Sequence, residues 1–156
     1  MTLVEQLLTL ADDLLRIDHD NLGYLYAPRR RSVSTAYYAV FHALARCCAE
    51  ELLGETDRLS KDYERVYRAL DHGPLRKAFE SAPLKNNPRL SEIGDHVVRL
   101  QSERHRADYL PDKRVFTPAQ CKELIDTAKI VVELLEGLSS QDRRTLSVHL
   151  LFKNRP

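Results

Sequence analysis

The sequence predicts an all-α fold, an antiparallel up-and-down bundle of five or six helices, and three observations carry that expectation. Apolar residues recur three and four apart along most of the chain, no stretch alternates as a half-buried strand would, and helix start and stop signals bracket the periodic segments. At 156 residues the chain has the length of about one domain, large enough to bury a core without disulfide or metal staples. A single domain over residues 1–156 is expected, with its core at about 3–137 and a C-terminal helix at about 140–152.

The first helix is expected from Leu3 to about His19. Thr2 and Glu5 have the spacing of a capping box, and Leu7, Leu10, Ala11, Leu14 and Leu15 form the buried side. A turn with Asn21, Gly23 and Pro28 follows. The second helix, about Pro28 to Leu53, carries Val33, Ala36, Tyr37, Val40, Phe41, Leu44 and Cys48 at helical spacing and stops at Gly54. As the longest and most apolar element it belongs at the centre, packed on the helices near 89–109 and 117–137. Tyr63, Val66, Tyr67 and Leu70 mark a short third helix ended by Gly73, and Leu75 with Phe79 suggests one or two further turns. The stretch SAPLKNNPRLS is a polar connection, too short for a domain linker. A helix from about Arg89 to Tyr109 is closed by Pro111. Thr117, Pro118 and Gln120 open another, running through Leu124, Ala128, Val131, Val132 and Leu135 to Gly137. The last spans Ser140 to about Phe152.

Charge and cysteine usage narrow the function classes. With 24 basic and 23 acidic residues the formal charge is +1, so no global field draws the protein to a polyanion or a membrane, and any such site is local. Three cysteines, Cys47, Cys48 and Cys121, are an odd count that suits a reducing compartment and core filling, so a cytoplasmic protein is expected. No leader pattern and no apolar run near 18 residues is seen, which speaks against a membrane span. Gly-rich phosphate loops, a G-x-S-x-G elbow, Cys-x-x-Cys and His-Glu-x-x-His pairs are all lacking, so neither a metal nor a cofactor is expected. Asp18, His19 and Asp20 read as solvated capping groups.

Two stretches carry chemistry. In LQSERHRADYLPDK, Arg104 and Asp108 continue the stripe of Ile93, Val97 and Leu100, so an arginine stands where the helix period asks for an apolar residue. Such a charge is costly unless paired. Either Asp108, one turn on, holds it as a structural ion pair, or the stripe opens there into a site that uses the charge. In RRRSVSTAYYAVFHALARCC, Arg31, Thr35, Tyr38, His42 and Ala49 lie opposite the apolar set. That face lacks the Lys and Glu of a solvated surface, so it is expected to be covered by a second subunit or by the C-terminal helix. Packing is the plain reading of it; a polar cleft faced by His42 is the sharper one.

STAYYAVFHALA, at 34–45, followed some sixty residues later by ERHRADY and then a capped amphipathic helix, resembles the HEPN superfamily, in particular its small prokaryotic single-domain members. The similarity spans roughly residues 3–136. It implies an up-and-down helical bundle, often a homodimer. It also implies kinship with metal-independent RNA-cleaving toxins and defence effectors, commonly encoded beside a nucleotidyltransferase-like antitoxin. Ribonuclease members carry an arginine followed after four to six residues by histidine, and here Arg104 is followed at that place by Tyr109. Loose matches elsewhere, Arg65 to His72 and Arg99 to His105 among them, are too common by chance to identify a site, and Arg99 lies off the stripe that holds Arg104.

RNA cleavage without a metal needs a group titrating near neutrality and a cation to steady the phosphate. Histidine suits the first role and arginine the second, whereas tyrosine is a poor base at neutral pH. Arg104 and Tyr109 alone therefore suit phosphate binding, and a base has to come from His42, His105 or another subunit. The candidate catalytic set is Arg104, Tyr109, His42 and His105, and the candidate phosphate or RNA contacts are Arg31, Arg46 and Arg104. Two functions stay open: an RNA-acting toxin or defence effector, or a non-catalytic domain of the same descent that binds a nucleotide, an RNA end or a partner protein. His42 and Arg104 reaching one phosphate on an open cleft, directly or across a dimer, favours the first; both buried and locally paired favours the second.

Overall fold

The computed structural model describes residues 1–20, 26–111 and 116–155, with the side chains of 18–20 excepted. The turn through Asn21 and Gly23, and the side chains of Asp18, His19 and Asp20, lie outside the described residues. Among the described residues every regular element is helical: α1 Leu3–Asp20, α2 Ala27–Leu53, α3 Lys61–Tyr67, α4 Leu75–Phe79, α5 Pro88–Tyr109, α6 Pro118–Glu136 and α7 Ser140–Leu151. Five are long and form the all-α bundle expected from the sequence, while α3 and α4 are one or two turns each.

Local chemistry sets the ends. The Glu5 N–H donates to Thr2 Oγ1 at 3.2 Å and the Thr2 N–H to Glu5 Oε2 at 2.6 Å, which closes the expected capping box of α1. Thr117 and Gln120 do the same for α6. Asn87 accepts from the N–H groups of Arg89 and Leu90, with Pro88 in the first turn, and so starts α5. Gly54 ends α2 at φ 77°, a backbone angle that disfavours any side chain, and its N–H donates to the Glu50 carbonyl at 2.8 Å.

The bundle is built around α2, which packs against α1, α3, α5, α6 and α7. It can do so because small and apolar residues are buried all around it, including Val33, Ala36, Ala39, Val40, Leu44, Ala45 and Ala49. The three cysteines are buried and none is in a disulfide, as core filling requires. Opposite α2, the core closes with Ile93, Val97 and Leu100 of α5 and Ile125, Ala128 and Val131 of α6. α4 sits tightly on α5: a Cβ at Gly94 would lie 2.7 Å from Phe79 Cδ1.

Two expectations need correction. Leu10 is 47% exposed, and Val4 takes its place on the buried side of α1, because the apolar arc of that helix is wider than the face α2 and α6 cover. On the Thr35, Tyr38, His42 and Ala49 face only Ala49 is fully buried, and over His42 and Tyr38 the cover that the chain itself supplies is α3 and the turn after it rather than α7: Tyr67 meets His42, and His72 lies edge-on to Tyr38.

Candidate functional site

Arg104 has the same i to i+4 partner that the sequence offers. Its Nη1 lies 3.5 Å from Asp108 Oδ2, and the two side chains are only 14% and 16% exposed. The guanidinium also lies over two rings of α2, 5.2 Å from the Tyr37 centroid and 5.9 Å from that of Tyr38. Stacking on a tyrosine face offsets part of the cost of desolvating the cation. Asp108 ties the two helices together, since Ser34 Oγ donates to its Oδ1 and Arg31 approaches the same oxygen at 3.9 Å. Arg31 is 70% exposed, so this second pairing is a loose surface contact.

A residue that periodicity does not mark completes the cluster. His72, in the turn between α3 and α4, stacks on Phe41 with ring centroids 3.7 Å apart, and its Nδ1 lies 2.8 Å from Tyr37 Oη. Gln101 of α5 donates to the His72 carbonyl at 2.6 Å. Burial pushes the Tyr37 hydroxyl up to about 12, against the pull of Arg104. It therefore stays protonated. Tyr37 Oη and His72 Nδ1 share one hydrogen bond, whose direction is set by the imidazole tautomer. Burial first, and then the Arg104 charge, holds the imidazole below its ordinary range. The neutral imidazole is thus favoured, with Nδ1 engaged by Tyr37 and only Nε2 left for another partner. The one sequence signal at His72 was its loose spacing from Arg65, which several other pairs share.

The remaining candidates do not converge on Arg104. His42 is half-buried, with Nδ1 2.6 Å from Tyr67 Oη, and burial lowers its pKa. Tyr109, 66% exposed, ends α5 and packs on the exposed ring of His105 at a centroid distance of 4.8 Å. Arg46 lies fifteen residues beyond Arg31 on α2, about 22 Å along the axis at 1.5 Å per residue. There it serves a separate network: Glu50, 7% exposed, accepts from Arg46 at 2.7 Å and Arg58 at 2.5 Å, with Arg143 at 3.9 Å. Arg31, Arg46 and Arg104 thus form no single cationic path. Among the described residues no cluster of three or more His, Cys, Asp or Glu side chains is arranged to hold a metal, and no helix is long and apolar enough to cross a membrane.

What the cluster can do follows from these contacts. Arg104 joins α2 to α5, and His72 fastens the α3–α4 turn onto both. Toward solvent the same region presents Arg31, the half-buried Tyr38, and Arg76, which donates to Ser102 at 2.6 Å. Ser102 and Asp108 mark the levels of Arg76 and Arg31 on α5, about 9 Å apart along the helix. Exposed guanidiniums bind phosphates, and an exposed aromatic ring edge can meet a base. No family model, curated protein or solved structure matches the chain.

Proposed function

We propose that this chain is a HEPN-like helical domain that acts by binding, its ligand a phosphate-bearing one such as an RNA end or nucleotide held at the Arg31, Tyr38 and Arg76 edge, and that it does not cut RNA. One observation carries the reading: Arg104 and His42, the arginine and histidine on which a cleavage site would depend, are each half-buried and held by neighbours, Arg104 by Asp108 and two tyrosine rings, His42 by Tyr67. Arg104 then serves as the clamp that shapes the edge, and the exposed arginines make the contact.

A second reading, an RNA-acting toxin or defence effector, has one observation in its favour. Arg104 and His72, an arginine and a histidine from different segments, both lie against the Tyr37 ring, at 5.2 and 5.6 Å from its centroid. The Tyr37 contact on His72 Nδ1 and the burial of Arg104 beneath two tyrosine rings weigh against it, because cleavage needs a free base and an accessible cation. A homodimer and a nucleotidyltransferase-like partner belong to either reading as proposals that rest on the HEPN resemblance.

The test is fluorescence anisotropy with a labelled 5'-phosphorylated single-stranded RNA, run beside a gel of the same samples without added metal. Saturable binding that weakens at least tenfold in Arg31→Gln/Arg76→Gln, with the RNA intact, is expected. Loss of intact RNA that depends on Arg104 and His72 moves the assignment to the second reading. Binding indifferent to Arg31 and Arg76 removes the proposed edge.

A further inference from the structure

A cavity of about 460 Å³ lies between α4 and the C-terminal end of α7, lined in part by Asp71 and Lys77, the chain neighbours of His72 and Arg76. Its volume falls within the range of small-molecule sites. The wall is apolar where small residues leave room, with half-buried Ala78 on one side and buried Leu150 on the other. Lys77 reaches it from α4, His149 from α7 and Lys153 from the segment that follows α7. Neither lysine has an ion-pair partner among the described residues, although elsewhere the cations Arg16, Arg46, Arg58, Arg68 and Lys122 each sit against a carboxylate. The single acidic residue in the lining is Asp71, whose carboxylate receives the Gly73 N–H at 3.4 Å. Two unpaired ammonium groups and an imidazole around an apolar hollow with one carboxylate leave a local excess of positive charge in a chain whose total is +1.

We propose that this cavity is a binding site for a small organic carboxylate with an apolar body, the carboxylate held by Lys77 and Lys153 and the body seated against Ala78 and Leu150. The chemistry is complementary on both counts. A charge-assisted hydrogen bond to ammonium satisfies the head group, and an apolar tail replaces water against alanine and leucine. An inorganic anion uses only the first half of the site, and a neutral apolar molecule only the second.

Isothermal titration calorimetry with octanoate, and with octanamide as its uncharged counterpart, tests the assignment on the full chain. One-to-one saturable octanoate binding is expected, at least tenfold tighter than octanamide, and reduced tenfold or more in Lys77→Gln/Lys153→Gln. Ala78→Leu, which fills the hollow, is expected to abolish binding of both probes while circular dichroism shows the helices intact. The assignment is overturned by absence of saturable octanoate binding to the wild-type chain, by octanamide binding as tightly, or by octanoate binding that the lysine double variant leaves unchanged. Should the double variant lose helicity, the octanoate-to-octanamide ratio on the wild-type chain and the Lys77→Arg variant, which keeps the charge and the binding, decide the matter.

Discussion

Replacing Arg104 by lysine separates a structural clamp from a phosphate ligand. Lysine keeps the charge and can still approach Asp108 at i+4, but it loses the planar fork and most of the stacking on Tyr37 and Tyr38. With both partners about 15% exposed, removing one of them costs less than the roughly 3–5 kcal/mol of stranding a fully buried charge, and each ring contact contributes of order 0.5–1 kcal/mol. Because lysine retains part of each, the expected loss is about 1.5 kcal/mol, or about 3–6 °C in Tm for a chain of this length. Thermal melts followed by circular dichroism at 222 nm measure it. A double-mutant cycle with Asp108→Asn then isolates the pair, with a coupling of about 1 kcal/mol expected. A Tm shift under about 1 °C, or strictly additive single effects, refutes the clamp. Tenfold weaker RNA binding in Arg104→Lys without a stability change would instead make Arg104 a direct phosphate ligand.

Gly94→Ala is expected to lower stability by about 1–3 kcal/mol in urea melts, since its new methyl group meets the Phe79 ring at 2.7–3.0 Å; a neutral effect shows that α4 moves freely on α5. Thr117→Ala removes the side-chain acceptor of the α6 capping box and is expected to cost about 1 kcal/mol, checked in the same melts. The pH dependence follows from His72, lowered by burial and by Arg104, and His42, lowered by burial. Unfolded, both take up a proton as pH falls through about 6.5, whereas folded they resist until lower pH. Stability is therefore complete above that value, declines as pH drops below it, and stops declining once pH passes the folded values. His72→Gln/His42→Gln is expected to flatten the Tm profile between pH 7.5 and about 5.5; a profile as steep as the wild type contradicts the assigned environment.

The helix ends were legible because their signals are local. Thr2 with Glu5, Thr117 with Gln120, and Gly54 act on backbone groups a few residues away, and all three behave as their spacing indicates. The Arg104–Asp108 pair was legible for the same reason, one turn apart on a single helix. Leu10 was misplaced because the width of an apolar arc says nothing about how much of it neighbouring helices cover. His72 was invisible because its meaning is tertiary: a turn residue from outside the periodic segments meets α2 through Phe41 and Tyr37, and α5 through Gln101. Tyr109 followed Arg104 at a suggestive spacing, yet five residues correspond to about 500° of helix rotation at 100° each, so it points away from the Arg104 stripe.

The most direct measurement is to incubate the purified chain with a 5'-labelled single-stranded RNA in EDTA and follow anisotropy and fragment length in the same tube. A saturable anisotropy change that depends on Arg31 and Arg76, with the RNA remaining full length, is the expected result. Fragments that appear with the wild-type chain and vanish in both Arg104→Ala and His72→Ala contradict the binding-only account.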